Sequence, residues 1–325
     1  MVYRPDHARG VVGVLQGSVM RFAVNLPNCM RIAAITQPWE QELSGRGIAE
    51  VAQSAERLGY SMVFLCEHFL TPRSHLELSG NHYFDATTAQ AFIAGATSTI
   101  TVGSVLTILP LHNPVIAAKS IATLDWLSGG RAQVTVGVGW QEGEFKAIGV
   151  PFNKRGRIAD ESLAAMFELW HSDTPKFDGE FVKFDNVAFG PKPISKPHPP
   201  IWIGGDADAV LRRAARFGDG WAPWLTKPED LPSRLDFIRS QPGFDDRPFS
   251  VFYTLVMLAI GQEHTITEDP SAQFGQNAQQ VIDKCNMLAE MGVTDTWVNP
   301  PPLNDVNAFL DHMQWVAEEV IPKVG

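Results

Sequence analysis

Cysteine is scarce in this chain. Cys29, Cys66 and Cys285 are the only three among 325 residues, widely spaced and in no CxxC pair. That excludes a disulfide framework and a zinc site built on paired cysteines, and it fits a reduced, cytoplasmic setting. Long apolar runs are also missing: no stretch approaches the ~18 residues a membrane-spanning helix needs. Val11–Val19 is the mildly apolar part of the N-terminus, but it holds two glycines and a glutamine, and no small-residue cleavage site follows. Residues 1–19 therefore read as an N-terminal extension, and 20–325 as one folded domain. Blocks of five like charges are absent, and the net charge is −10. A nucleic-acid or anionic-membrane partner would call for a basic stripe, so neither is expected. HxH, HExxH, GxSxG and GxxxxGK[ST] are all absent, which removes the first ligands of a metallohydrolase barrel, the nucleophile elbow and the P-loop. No metal is expected.

What the chain does have is alternation. Short β-rich runs occur at Arg21–Leu26, Ser61–Cys66, Ile100–Leu106, Ala132–Val138, Ile201–Ile203, Gly220–Trp224, Phe249–Leu258 and Thr294–Asn299. Between and after them lie segments with helical spacing: Gly47–Leu58, Ala86–Ser98, Pro114–Leu127, Arg157–Trp170, Val210–Phe217, Leu231–Arg239, Gln276–Met291 and Val306–Val320. In the first, Ile48, Val51, Ala52, Ala55 and Leu58 share one side. Eight strands alternating with eight helices predict a (β/α)8 TIM barrel, an α/β fold with insertion loops. Two segments exceed ordinary loop length and are candidate lids: the proline-rich His171–Pro200, with a small hairpin pattern in FDGEFVKFDNVAF, and the polar Gly261–Gly275.

Three stretches carry possible chemistry. In VTVGVGWQEG (Val134–Gly143) a strand runs into Gly137, Gly139 and Trp140. A dinucleotide-binding turn would open a helix directly and lead to a second strand with an acidic ribose ligand. Here carboxylates follow instead, so the glycines indicate close approach of a flat ring or a structural bend. In IWIGGDADAV a strand, Gly204, Gly205 and Asp206 lead into a helix. Such a turn can seat a phosphate, or Asp206 or Asp208 can simply cap the helix. In VFLCEHFLTP, Glu67 and His68 end the second strand, where a barrel presents residues to its active face. His75, His82 and His112 also lie near strand-exit loops. A lone histidine is more often structural than catalytic.

Two blocks taken together, SGGR…GVGW…EF…G and PPIWIGG…GDGW, resemble the bacterial luciferase-like superfamily, and within it the coenzyme F420 (deazaflavin)-dependent oxidoreductases. The likeness runs over roughly Arg21–Pro322. The resemblance implies a luciferase-like barrel holding F420 or FMN at its C-terminal mouth. It assigns the cofactor phosphate to Gly204, Gly205 and Asp206, and the ring to Gly137, Gly139, Trp140, Ser104, Val105, Thr107 and Glu67. A bulge with a non-proline cis peptide is implied at Ser104–Val105, and His68 becomes the candidate catalytic acid or base. Departures from the family are Glu67 where aspartate is common, Pro72 at a position that is tryptophan in some sugar-phosphate dehydrogenases, and Gly143 for their ring-contacting asparagine.

The leading expectation is hydride transfer between F420 and a small organic substrate. The first alternative is an FMNH2-dependent two-component monooxygenase using O2 and a separate flavin reductase. The second is a non-catalytic flavin-binding protein. Family habit adds a homodimer.

Overall fold

The computed structural model describes residues 20–32, 35–245, 247–255 and 277–325. Eight parallel strands form one sheet. In chain order they are β1 (Arg21–Asn25), β2 (Met62–Leu65), β3 (Thr101–Ile108), β4 (Ala132–Gly137), β7 (Ile201–Gly204), β8 (Gly220–Ala222), β9 (Ser250–Val251) and β10 (Asp295–Thr296). Neighbours in space run β10-β1-β2-β3-β4-β7-β8-β9. The ring closes where Phe252 bridges Asp295, with Tyr253 N–H donating to Asp295 O at 2.9 Å and Thr294 N–H to Val251 O at 3.0 Å. The remaining pair, β5 (Phe177–Asp178) and β6 (Lys183–Phe184), is the antiparallel hairpin expected in the long insert.

Period-2 alternation sorts the strand residues onto two sides. Inside the barrel, Ala23, Met62, Phe64, Trp202, Ala222, Phe252 and Trp297 form a compact cluster. Phe64 meets Phe252 and Trp297 edge-on at 5.3 and 5.7 Å. Val24, Val63, Leu65, Val134, Val136 and Ile203 face outward into the main core under the helices.

The helices are α1 (Gly45–Arg57), α2 (Leu76–Ser79), α3 (Ala86–Ala96), α4 (Pro114–Ser128), α5 (Glu142–Ile148), α6 (Arg155–His171), α7 (Asp208–Phe217), α8 (Leu231–Arg239), α9 (Ala278–Glu290) and α10 (Val306–Trp315). α1 buries Ile48, Val51, Ala52 and Ala55, the side its spacing marks. Ser44 caps its start by accepting from Gly47 N–H. α4 begins on Asn113, whose side chain accepts from Val115 and Ile116, and ends on Gly129 in the left-handed region.

Two outcomes differ from expectation. Among the described residues, the strand expected to reach Leu258 is regular over Ser250–Val251, and residues 256–276, the Gly261–Gly275 loop among them, lie outside the described residues. The His171–Pro200 insert begins where α6 ends and returns to the start of β7, both at the barrel end opposite the active mouth. Buried Asp125 accepts from Ile194 N–H, Ser195 N–H and Ser195 Oγ–H at 2.6–2.9 Å. Glu161 accepts from the amides of Glu180, Phe181 and Val182 at 2.6–2.9 Å. These carboxylates fasten the insert to the barrel wall at the end away from the mouth, where it does not cover the strand C-terminal ends.

Candidate active site at the barrel mouth

Every strand of a parallel barrel delivers its last residue to one end, and the loops there build the site. The residue after the β2 exit loop begins is His68, and it finds a partner from the β4 exit: its Nδ1–H donates to Glu144 Oε2 at 3.0 Å. The Glu144 side chain is wholly buried, while that of His68 keeps 12% of its surface exposed. The other Glu144 oxygen accepts from Phe69 and Leu70 N–H at 2.6 and 3.2 Å, which fixes the carboxylate. With Nδ1 donating, Nε2 is left to take or give a proton. The Gln141 amide nitrogen stands 3.5 Å from it. The rings of Tyr83 and Trp140 meet His68 edge-on at 4.9 and 6.2 Å, forming its walls.

Neighbouring Glu67 turns the other way. Its Oε1 accepts from Ile108 N–H at 3.0 Å and from His112 Nε2 at 2.8 Å. Burial alone would lower the His112 pKa. The hydrogen bond to Glu67 and its charge, with Asp85 beyond, outweigh that and raise it.

The glycines have a reason that composition did not supply. A Cβ at Gly137 would lie 2.5 Å from Leu106 Cδ1, and one at Gly204 would lie 2.7 Å from Leu106 Cδ2. Both are bare because the Leu106 side chain crosses between β4 and β7. Gly139 has φ +73°, and a Cβ there would meet Ile108 and Phe145 at 2.7–2.8 Å. The close approach at these three positions is therefore made by protein side chains, the structural alternative to a ring at Gly137 and Gly139. β3 carries its bulge between Val105 and Thr107, and its cis peptide is Val105–Leu106, one bond beyond the implied Ser104–Val105. Buried Ser104 and Thr107 pair their hydroxyls at 2.9 Å.

The phosphate turn is also rearranged. Gly205 N–H donates to Ala222 O at 3.0 Å, so this donor is not left for a phosphate, and its carbonyl accepts from Trp221 Nε1 at 2.8 Å. Asp206 faces away: its carboxylate accepts from the amides of Trp224, Leu225 and Thr226 and from the Thr226 hydroxyl at 2.6–3.0 Å. It shapes the β8 exit loop and keeps its charge off the start of α7. That helix has no side-chain cap, which leaves its first amides open to an external acceptor. Asp208, in its first turn, is engaged by Arg234 at 2.9 Å.

Buried polar atoms without a partner gather at the same end. Among the described residues there are eight, and five belong to residues at or after strand C-terminal ends: Asn25 Oδ1, Glu67 Oε2, Thr71 Oγ1, Gln141 Oε1 and Thr254 Oγ1. Native proteins leave few such atoms, so these groups take water or a polar ligand as their partners. The mouth thus joins His68 with Trp140, and Leu106 with Gly137 and Gly204, while Asp206 and Gly205 turn outward. Sequence reading had not singled out Glu144, Gln141, Asn25 or Leu106. For Glu144 the signal was its place three residues after Gln141, one turn into a short helix.

The fold and this cluster define a parallel (β/α)8 barrel with a buried carboxylate–imidazole pair at its C-terminal mouth. The sequence profile described as luciferase-like monooxygenase matches residues 20–287, and the chain belongs to that family, whose members are flavin- or deazaflavin-dependent oxidoreductases and monooxygenases. It is 33% identical over 218 residues to an FMNH2-dependent dimethylsulfone monooxygenase of Pseudomonas putida; that match covers 66% of this chain and 58% of the relative. The barrel superposes on monooxygenase RslO1 from Streptomyces bottropensis with a TM-score of 0.74 at 21% identity, covering 93% of this chain and 99% of that one. It also superposes on the coenzyme F420-dependent tetrahydromethanopterin reductase of Methanopyrus kandleri at 0.69 and 18% identity, covering 95% and 100%.

Proposed function

We propose that this protein is a monooxygenase that uses reduced FMN, delivered by a separate reductase, to oxygenate a small organic substrate at the barrel mouth. The observation that carries the site is the cluster of unpartnered buried polar atoms beside the His68–Glu144 pair. Asn25, Glu67 and Gln141 offer acceptors of the kind a flavin's ring N–H and ribityl hydroxyls would satisfy, and the uncapped first turn of α7 offers amides to its phosphate. Ser104, Val105, Thr107, Gly137, Gly139 and Gly204 would line the ring through the wall that Leu106 completes, with Trp140 at the edge. When bound, reduced FMN would activate O2, one oxygen atom entering the substrate and the other leaving as water.

The chain's own residues supply placement and proton handling. Glu144 holds His68 in one tautomer, and His68 Nε2 can take or give a proton at the reacting group. Tyr83 and Trp140 keep water from its ring. The identity to the Pseudomonas putida enzyme favours FMN over the deazaflavin. F420-dependent hydride transfer is the second reading, and the β3 bulge that the family resemblance links to deazaflavin relatives favours it. Anaerobic titration with reduced FMN and, separately, with F420 separates the two: tight FMN binding alone supports oxygenation, and tight F420 binding alone overturns it.

The protein's pairing is proposed as well. The outer faces of α3 and α4 expose Phe92, Val115, Ile116, Trp126 and Leu127, the last two by 57% and 71%. α3 contains no charged residue; in α4, Asp125 is buried and Lys119 is engaged by Gly190 O. Between copies that each carry −10, an apolar face free of acidic side chains other than the buried Asp125 is where two can meet with least repulsion, so a second copy of this chain is the proposed occupant.

A further inference from the structure

His112 enters no step above, and Glu67 enters only through its free Oε2, yet Glu67 Oε1 and His112 form a second carboxylate–imidazole pair at the same mouth. Residues 67 and 68 diverge: His68 reaches Glu144 beyond β4, and Glu67 reaches His112 beyond β3. The Glu67 side chain is 1% exposed, and that of His112 is 19% exposed. Glu67 Oε1 holds both ends of the turn Leu109–Leu111 that follows β3, through Ile108 N–H on one side and His112 on the other. Ile108 is two residues past Leu106, whose side chain fills the space in front of Gly137 and Gly204. Phe69 lies edge-on to the His112 ring at 5.1 Å.

We propose that Glu67 and His112 are a positioning pair: their ionic hydrogen bond clamps the end of β3, and so sets the Leu106 floor against which the cofactor ring lies. This rests on the functional reading above for the cofactor, but not for the clamp. The physical reason is that a buried carboxylate with two donors is a fixed anchor, and withdrawing the cationic donor leaves its charge poorly compensated. Glu67 and Asp85 are the charged groups that act on His112, and both favour its protonated form. The clamp is therefore complete while His112 is protonated and loosens as pH rises through the raised His112 value.

The test compares wild type with Glu67→Gln and His112→Asn through three readouts, each applied to the proteins it can distinguish. Histidine 13C–1H spectra of ligand-free protein should show His112 titrating above 6.5 in wild type and lower in Glu67→Gln. The Ile108 amide should lose about tenfold or more of its exchange protection in both variants. FMN affinity of wild type should fall by about threefold or more from pH 6 to pH 9 beyond any fall in His112→Asn, whose clamp is already broken. Unchanged Ile108 protection, or parallel affinity curves for wild type and His112→Asn, would overturn the proposal. If neither FMN nor F420 binds wild type while Ile108 responds as expected, the cofactor reading fails and the clamp stands.

Discussion

At Gly137 and Gly204 a single methyl group decides whether Leu106 keeps its seat. Gly204→Val should weaken FMN binding sharply and destabilise the barrel, and adding Leu106→Ala should recover part of both losses, because the two side chains compete for one space. A double-mutant cycle on binding and urea stability checks this; additive losses would contradict it. At His68, replacement by Ala should leave the fold intact and cut turnover roughly 10²–10⁴-fold. Glu144→Gln should lower turnover in the same direction, since it keeps the packing but weakens the hold on Nδ1. Full activity in either variant would remove the pair from the mechanism. His68 and Glu67 were legible in sequence as strand-end residues. Their partners Glu144 and His112 stand 76 and 45 positions away in the chain, and no local period joins them. Asp206 was legible as a turn residue, but not the direction of its carboxylate, which depends on the β8 exit loop it holds.

Among elements, period was the informative quantity. α1, α6 and α8 follow from apolar spacing alone, because each packs one face on the sheet for two turns or more. α5 has seven residues and buries only Glu144 and Phe145, so it presents no apolar stripe to read. Buried carboxylates tie elements together in ways no pattern reveals. Asp125→Ala should destabilise the protein by about 1–3 kcal/mol by orphaning the donors of Ile194 and Ser195, and should expose the 171–200 insert to limited proteolysis. Resistance equal to wild type would show that the insert is held elsewhere. Glu56 gives a pH test. Despite desolvation that would raise it, four hydrogen bonds from Ser98, Thr99 and Ile100 hold its carboxyl down to about 2. Its contribution is thus present above the ordinary 4.5 and is lost as pH falls toward 2. The stability gap between wild type and Glu56→Gln should narrow over that range, and a gap that widens would contradict the assignment.

For the whole molecule, closure of eight parallel strands is what brings residues from β1, β2, β4 and β9 to one mouth. Alternation foretold the barrel because a strand–helix repeat of this length has few other solutions. If the α3–α4 face seats a second copy, Ile116→Lys with Leu127→Lys should shift sedimentation from dimer to monomer without loss of helix signal; an unchanged mass would contradict pairing there. Hydrogen exchange with and without reduced FMN, under argon, tests the central claim most directly. With FMN seated at the mouth, binding is tight and new protection concentrates at residues 67–71, 104–108, 137–141 and 206–209. Absence of binding, or protection confined to the opposite end of the barrel, would contradict it.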